Sequence, residues 1–389
     1  MSSPSMAAAL HRRPRSRPPL EDEDLLSEIL LRLPPQPSSL PRASAICKRW
    51  RRLVFDRGFL RRYRQHHRRS PPLLGFFRSD YAGISYTPAM EAPDRVPAGR
   101  FSLLLYDSRA RILSCRHGLL LFARSSGNRF LVWDPVTRDQ HRLVAPPPFD
   151  IYAAQVDGAV LRAAGDAHHF QVVLVSYQQK QVIACIYSSE TGVWSDLMPT
   201  SVQRTAVGCQ GMPAVLVGDS LYLLLSDGGI TVILEVDLNR QSLALIQVPL
   251  SMLAYGHHRD YMTLARAEGG GLGLLWKEGF TAQFWKMNAG CDGVSSWVWG
   301  RTIKLDKLLS LNLEEIKRIQ RIAYAEENNV AFLRTVSGVF MVQLESLQFS
   351  KLPEKNNCAI CYPLESVYAA ETSIGGGHGG ADQDMIVLV

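Results

Sequence analysis

Trp133–Arg138 (WDPVTR) is the first of five stretches in which an apolar run ends in a large or β-branched residue and then enters a polar turn. The other four are Tyr187–Gly192 (YSSETG), Val236–Gln241 (VDLNRQ), Trp285–Gly290 (WKMNAG) and Val342–Leu347 (VQLESL). Their first residues lie 49 to 57 positions apart. Upstream of each stretch is a further strand-like run: Gly118–Phe122, Phe170–Val175, Leu221–Leu225, Leu272–Trp276 and Val330–Leu333. A unit of about 50 residues made of several short strands is typical of a β-propeller blade.

The repeats therefore predict an all-β, propeller-like domain over residues 101–371. Five blades are visible, and a sixth can be assembled from residues 71–100, where Leu73–Phe77 is strand-like, together with C-terminal strands. Because one sheet cannot cover both of its own faces, neighbouring blades shield each other. A β-sandwich is the alternative, but it does not predict regular spacing. We expect residues 64–100 to contain a linker and the first strands, and residues 372–389 to form a mobile Gly-rich tail.

The segment 20–63 has the pattern of a small all-α unit of short helices. It opens with the acidic run Glu21–Asp24, and carboxylates there stabilise the positive end of a helix. One apolar stripe follows at helical spacing: Leu25, Leu26, Ile29, Leu30 and Leu33. Pro34 and Pro35 end this helix because proline lacks the amide proton that a helix interior needs. Ile46–Leu53 predicts another short helix with an apolar and a cationic face.

Residues 19–60 resemble the F-box in the order and spacing of their apolar positions. The resemblance is carried by Pro19-Leu20, the stripe from Leu25 to Leu33, Pro34-Pro35, Leu40, Ile46-Cys47-Lys48-Arg49-Trp50-Arg51, Leu53 and Phe59-Leu60. Pro41 departs from the family pattern, and this departure bears on the geometry of the second helix.

The remainder of the chain resembles the F-box-associated propeller domains of large plant F-box families. The resemblance is carried by Ser114–Leu121 (SCRHGLLL), Trp133–Thr137 (WDPVT), Val182–Trp194 (VIACIYSSETGVW) and Tyr362–Tyr368 (YPLESVY). The double-glycine pattern of kelch repeats is absent from the sequence.

The two resemblances imply a non-catalytic substrate receptor of a Skp–cullin–F-box ubiquitin ligase. The F-box would dock a Skp-type adaptor, which bridges to a cullin–RING scaffold, and the propeller would hold an unidentified target protein. The implied adaptor-binding residues are Pro19, Leu20, Leu25, Leu26, Ile29, Leu30, Leu33, Pro34, Leu40, Ile46, Cys47 and Trp50. A unit this small cannot hide all of these apolar side chains by itself, so some should be free for a partner. The alternative is a propeller scaffold or reader that acts outside a ubiquitin ligase.

The charge of the chain is concentrated at its N-terminus. Residues 1–70 hold 16 Arg or Lys against 6 Asp or Glu, whereas the remaining 319 residues hold 27 against 30. A nucleic-acid partner is not favoured, because the larger domain lacks a basic excess. The cluster Arg61–Arg69 is compatible with a nuclear address, a phosphate-binding patch or a solvated linker face. Residues 1–19 predict a disordered basic tail, with an organellar transit peptide as the alternative.

The seven cysteines, Cys47, Cys115, Cys185, Cys209, Cys291, Cys358 and Cys361, form no regular framework. Such usage favours a reducing compartment, and we expect the cytoplasm, the nucleus or both. No apolar run is long enough to span a bilayer, so no membrane association is expected.

The sequence contains no phosphate-loop, zinc-protease or nucleophile-elbow motif. Cys358 and Cys361 have zinc-like spacing, but a tetrahedral site needs four ligands, and two strand cysteines are the simpler interpretation. We therefore predict no catalytic residue, no cofactor and no metal site. A propeller hydrolase would require convergent carboxylates or a metal, and no such pattern is recognisable. For most of the tryptophans in the repeats the expected place is the blade core.

Overall fold

A computed structural model describes residues 22–80, 83–101, 103–105, 110–124, 128–152, 154–162, 169–178, 180–202, 206–208, 212, 214–227, 230–248, 262–289, 295–312, 314, 320–335, 337–352, 361–368 and 386–388. The predicted basic tail at residues 1–19 lies outside these residues, as do the predicted site residues Pro19 and Leu20.

Four short helices open the described chain, and a fifth lies inside the β domain: α1 (Glu23–Leu31), α2 (Ser39–Ser44), α3 (Lys48–Val54), α4 (Arg57–His66) and α5 (Leu305–Leu309). Asp22 caps α1, and its carboxylate accepts the backbone N–H groups of Asp24 and Leu25 at 3.0 and 3.1 Å. Asp56 caps α4 in the same way and accepts the N–H of Phe59 at 2.8 Å.

Two details of the helical unit differ from the sequence-based expectation. Pro41 lies inside α2 without disrupting it, because it is the third residue of the helix, where the backbone N–H has no intrahelical partner to lose. The helical unit also extends past the predicted boundary at residue 63, since α4 continues to His66. Most of the basic cluster Arg61–Arg69 therefore lies on a helix that packs on the unit, with Arg61, Arg62 and Arg69 exposed.

The rest of the described chain is built from strands. In chain order they are β1 (Leu73–Asp80), β2 (Gly83–Pro88), β3 (Leu103–Leu105), β4 (Arg111–Arg116), β5 (Leu119–Ala123), β6 (Arg129–Trp133), β7 (Gln140–Val144), β8 (Gln155–Arg162), β9 (Phe170–Gln178), β10 (Gln181–Ser188), β11 (Val193–Trp194), β12 (Met198–Ser201), β13 (Ala206–Gly208), β14 (Val215–Val217), β15 (Ser220–Asp227), β16 (Ile230–Asp237), β17 (Ser242–Gln247), β18 (Met262–Arg266), β19 (Leu272–Glu278), β20 (Thr281–Ala289), β21 (Ser295–Lys304), β22 (Gln320–Ala325), β23 (Val330–Thr335), β24 (Gly338–Gln343), β25 (Phe349–Lys351), β26 (Cys361–Glu365) and β27 (Ile386–Leu388).

Within the described residues these strands form six antiparallel sheets, which are the blades of a propeller. Blades 1 to 5 are β4–β7, β8–β12, β13–β17, β18–β21 and β22–β25, and blade 6 combines β26 with β1 and β2. The five residues that mark the repeats, Trp133, Tyr187, Val236, Trp285 and Val342, all lie on the third strand of a blade. The predicted propeller and its repeat boundaries are thus confirmed, and the β-sandwich is excluded.

The ring closes through strands from opposite parts of the chain. β26 pairs antiparallel with β1, so that Phe76 faces Pro363 and Phe77 faces Tyr362. β26 is also in contact with β4 of blade 1 and β22 of blade 5, so it is the inner strand of blade 6. The expected sixth blade from residues 71–100 and C-terminal strands is therefore confirmed.

The core lies between the blades and follows from the alternation of side chains along a strand. On β5, Leu119, Leu121 and Ala123 pack towards blade 2, whereas Leu120 and Phe122 pack towards blade 6. All five side chains are buried, because neighbouring blades cover both faces of this strand. Because both faces are buried, the second strand of a blade is a continuous apolar run in the sequence.

Of the predicted Gly-rich tail at residues 372–389, the structure describes only residues 386–388. The last described residues form β27, which pairs in parallel with β3, Ile386 facing Leu103 and Leu388 facing Leu105. Ile386 and Val387 are β-branched residues, which favour the strand conformation. Residues 369–385, which hold the glycines, lie outside the described part of the chain.

Candidate functional site

The four N-terminal helices enclose a complete small core. Its buried members are Leu26, Leu30, Leu31, Leu40, Ala43, Val54, Phe59, Leu60, Tyr63 and Val367. The hydroxyl of Tyr63 donates to the carbonyl of Pro34 at 2.7 Å, and Nε2 of His67 lies 2.8 Å from the carbonyl of Leu31. Burial lowers the pKa of His67. Because Val367 follows β26, this core also joins the helical unit to the propeller.

Apolar side chains remain outside this core. The exposed fraction is 50% for Leu25, 39% for Ile29 and 62% for Ile46. These three residues are called the exposed apolar set below. Leu25 and Ile29 share one face of α1, and Ile46 lies between α2 and α3. These side chains are available to a second molecule.

The remaining predicted adaptor-binding residues divide into three groups. Cys47 and Pro34 are exposed, and Leu33 and Trp50 are half-buried against the core. Leu26, Leu30 and Leu40 are buried in the core of the helical unit, with exposed fractions of 0%, 0% and 4%. The physical reason is that the leucine stripe of α1 spans two helix faces, and the face with Leu26 and Leu30 packs inward.

The surface around Ile46 is cationic, whereas Leu25, at the other end of the exposed apolar set, follows the exposed acids Asp22, Glu23 and Asp24. Between residues 29 and 55 the chain carries Arg32, Arg42, Lys48, Arg49, Arg51 and Arg52 and no Asp or Glu. The nearest preceding acid, Glu28, is paired with Arg62 at 2.6 Å. An apolar surface with such a rim fits a partner that combines apolar side chains with acidic ones.

A second group of charged residues lies at equivalent places in the blades. Arg116, Arg162, Arg266 and Glu365 end β4, β8, β18 and β26, and Glu326 directly follows β22. We call these residues, together with His117, Asp134 and Glu327, the axial network. This network was not predicted from the sequence. A signal was present, because an Arg or Glu lies at the end of the innermost strand in several blades or directly after it.

Glu326 is the centre of the axial network. Its carboxylate binds Nη2 of Arg116 at 2.5 Å and Nη2 of Arg266 at 2.9 Å, and it accepts the N–H of Leu216 at 2.9 Å. The guanidinium of Arg116 also donates to the carbonyl of Ala214. One carboxylate thus connects residues of blades 1, 3, 4 and 5.

His117 extends the axial network to blade 2. Its Nδ1 accepts the backbone N–H of Arg162 at 3.0 Å, which places a proton on Nε2, 3.2 Å from Glu327. Arg162 in turn binds Asp134 at 2.7 Å. Burial opposes ionisation of Glu327, but the contacts with His117 and the nearby arginines prevail and lower its pKa.

Glu365 joins blade 6 to the axial network. It accepts the backbone N–H groups of Glu327 and Asn328 at 3.1 and 2.8 Å and the side-chain amide of Asn328 at 2.6 Å. Since these charges pair with one another across blades, the arrangement serves to hold the ring together. Among the described residues, His, Cys, Asp and Glu form no cluster of three that could hold a metal ion.

Comparison with known proteins identifies both parts of the chain. Residues 23–66 match the model of F-box-like domains. Residues 111–365, more than half of the chain, match the model of the F-box protein AT5G49610-like beta-propeller. The chain belongs to this family. The F-box-like match covers the four N-terminal helices, and the propeller match runs from β4 to β26.

A curated relative of this F-box propeller protein is the F-box/kelch-repeat protein At3g61590 of Arabidopsis thaliana. The two are 25% identical over 223 residues, which are 53% of this chain and 52% of the relative. The chain therefore spans about half the length of that relative in the matched region. A plant F-box protein with a propeller, as expected from the sequence, is confirmed.

Solved structures similar to the F-box propeller protein are distant. The Dos1 propeller has a TM-score of 0.38 and 10% identity, with 74% of this chain and 70% of that chain covered. A luciferin-regenerating enzyme has a TM-score of 0.34 and 10% identity, with 76% and 91% covered. Similarity of this degree carries no information on function.

Four tryptophans of the F-box propeller protein divide between blade cores and links between blades. Trp133 and Trp276 are buried in blade cores, as expected. Trp194 and Trp297 lie on outer strands and donate their indole N–H groups to Val144 and Gln247, the last residues of outer strands β7 and β17, at 2.9 and 2.8 Å. Trp299 is 56% exposed, so it departs from the expectation of core burial.

No helix in the described part of the chain is long and apolar enough to cross a membrane.

Proposed function

We propose that the chain is the substrate-recognition subunit of a Skp–cullin–F-box ubiquitin ligase. In this proposal the F-box docks a Skp-type adaptor, which connects it to a cullin–RING scaffold in the cytoplasm, the nucleus or both. The propeller binds a target protein and carries out no chemistry itself. Ubiquitin transfer is accelerated because target lysines are held at high effective concentration near the conjugating enzyme.

The exposed apolar set is the observation that carries this proposal. The helical unit already has a closed core around Leu26, Leu30 and Tyr63, yet the side chains of Leu25, Ile29 and Ile46 remain exposed to solvent. Complete burial of such side chains contributes roughly 1.5–3 kcal/mol each, so a few of them are enough to anchor a partner. The cationic rim adds selectivity for an acidic partner.

Substitution of Ile46 by Asp tests the proposal. We expect Ile46→Asp to weaken binding of the full chain to a purified plant Skp-type adaptor by at least about 100-fold, because a charge would be placed in an apolar contact. Since Ile46 is exposed, the variant should keep the fold and the melting temperature of the wild type. Calorimetric titration of each protein with the adaptor measures the effect.

Val193→Asp is the matched control, because Val193 is 60% exposed on the outer strand β11 and lies outside the F-box. It should bind the adaptor as the wild type does. Binding of Ile46→Asp at wild-type affinity, or equal losses in both variants, would contradict the proposal.

A further inference from the structure

A groove of about 500 Å³ separates the F-box from the propeller. One wall is α2 with the residues before it, and the other is the loop after β2 with the segment after β26. The lining residues are Pro37, Ser38, Pro41, Arg42, Ala45, Pro93, Arg95, Val96, Pro97 and Tyr368. The backbone N–H of Ser38 donates to the carboxylate of Asp94 at 3.0 Å, so the two walls are fixed relative to each other.

The groove begins where the exposed apolar set ends. Pro41 and Arg42 of α2, together with Ala45, which directly follows this helix, line the groove. The residue after Ala45 is Ile46, the most exposed member of the apolar set. The exposed apolar set and the groove are therefore contiguous along the chain at Ala45–Ile46.

The chemistry of the groove defines its occupant. Pro37 and Val96 are buried and give the groove an apolar floor, whereas Arg42 and Arg95 are exposed on opposite walls. The lining includes no carboxylate, and that of neighbouring Asp94 already accepts the N–H of Ser38. The groove thus fits an extended segment with an acidic side chain next to an aliphatic one.

We infer that an acidic segment of the adaptor continues from the exposed apolar set into this groove, so that the propeller loop with Arg95 belongs to the adaptor interface. The inference rests on the proposed function, because it assigns the same adaptor to both surfaces. A contact with both domains at once holds the propeller at a fixed angle to the ligase. The target then approaches the conjugating enzyme in one orientation.

Charge reversal at Arg95 tests the inference in the full chain. We expect Arg95→Glu to weaken binding of a purified plant Skp-type adaptor about 10-fold, and Arg42→Glu, on the opposite wall, to do the same. Both losses should shrink when the salt concentration is raised from about 50 to about 300 mM, because salt screens exposed charges. Arg142→Glu, an exposed arginine on the outer strand of blade 1, is the matched control.

The outcomes separate the two proposals. If Ile46→Asp loses binding while Arg95→Glu binds as the wild type does, the groove has no role and the docking function stands, whatever the effect of Arg42→Glu, because Arg42 also belongs to the cationic rim. If Ile46→Asp also binds normally, the proposed function fails as well. A loss in Arg142→Glu as large as that in Arg95→Glu would reveal a general charge effect and overturn the inference.

Discussion

Glu365 is a buried carboxyl group with an altered acidity. It lies at the end of β26, where it accepts three N–H groups from Glu327 and Asn328. Burial raises the pKa of Glu365 to about 7, and the hydrogen bonds oppose this shift without cancelling it. The native chain therefore holds this proton more tightly than the unfolded chain does.

This raised pKa predicts the direction of a pH effect. Stability from the bound proton is complete below the unfolded pKa, and it is lost as the pH rises towards about 7. Glu365→Gln cannot titrate, so the free energy of unfolding of the wild type relative to this variant should be higher at pH 5 than at pH 8. We expect a change on the order of 1–3 kcal/mol.

Urea unfolding of both proteins at the two pH values measures this difference. Comparison with the variant removes the contributions of other titrating groups, such as Asp157, whose pKa is also raised by burial. A difference that does not depend on pH, or one that grows towards pH 8, would contradict the assignment.

At the scale of elements, a tryptophan hydrogen bond joins the outer strands of two pairs of neighbouring blades, blades 1 and 2 and blades 3 and 4. Trp297 on β21 donates to Gln247 on β17, and Trp194 on β11 makes the equivalent bond to Val144 on β7. The two tryptophans occupy equivalent places in blades 4 and 2. The axial network joins the inner strands of the blades. Blades are therefore linked both at their inner strands and at their outer strands.

The link at Trp297 can be removed with little change in shape. Trp297→Phe keeps an aromatic ring but loses the donor, and we expect it to lower the free energy of unfolding by about 1 kcal/mol. Trp299→Phe is the control on the same strand, and because Trp299 is 56% exposed its effect should stay within about 0.5 kcal/mol. Urea titration followed by circular dichroism compares the two, and equal effects would show that the bond does not contribute.

The F-box shows why the site could be predicted only in part. Spacing revealed the apolar stripe on α1, but Leu25 and Leu26 are adjacent in sequence and have exposed fractions of 50% and 0%. Which of them faces the core depends on where α4 and Val367 pack, and these contacts join residues that are far apart in the chain. Periodicity alone therefore identified the helical unit but could not separate its exposed residues from its core residues.

At the scale of the whole molecule, the repeats predicted the propeller because each blade repeats the same burial pattern. The axial network escaped prediction because its members are single charges in different blades. Arg116 and Glu326 meet at 2.5 Å although 210 positions separate them. Only the closed ring brings such residues together, so their partners are a property of the tertiary structure.

Closure of the ring depends on β26, and this gives a prediction for the entire chain. A chain that ends at residue 360 lacks β26 and with it the buried side chains of Leu364 and Val367 and the carboxylate of Glu365. Blade 6 would then keep only β1 and β2, and the F-box core would lose its contact from the propeller side.

We expect this chain to lose cooperative thermal unfolding, as measured by circular dichroism and tryptophan fluorescence. A chain that ends at Tyr368 keeps the described strands of all six blades and loses β27 with its pairing to β3, so it should still unfold cooperatively. Cooperative melting of the shorter chain at the same temperature would show that β26 is not what closes the ring.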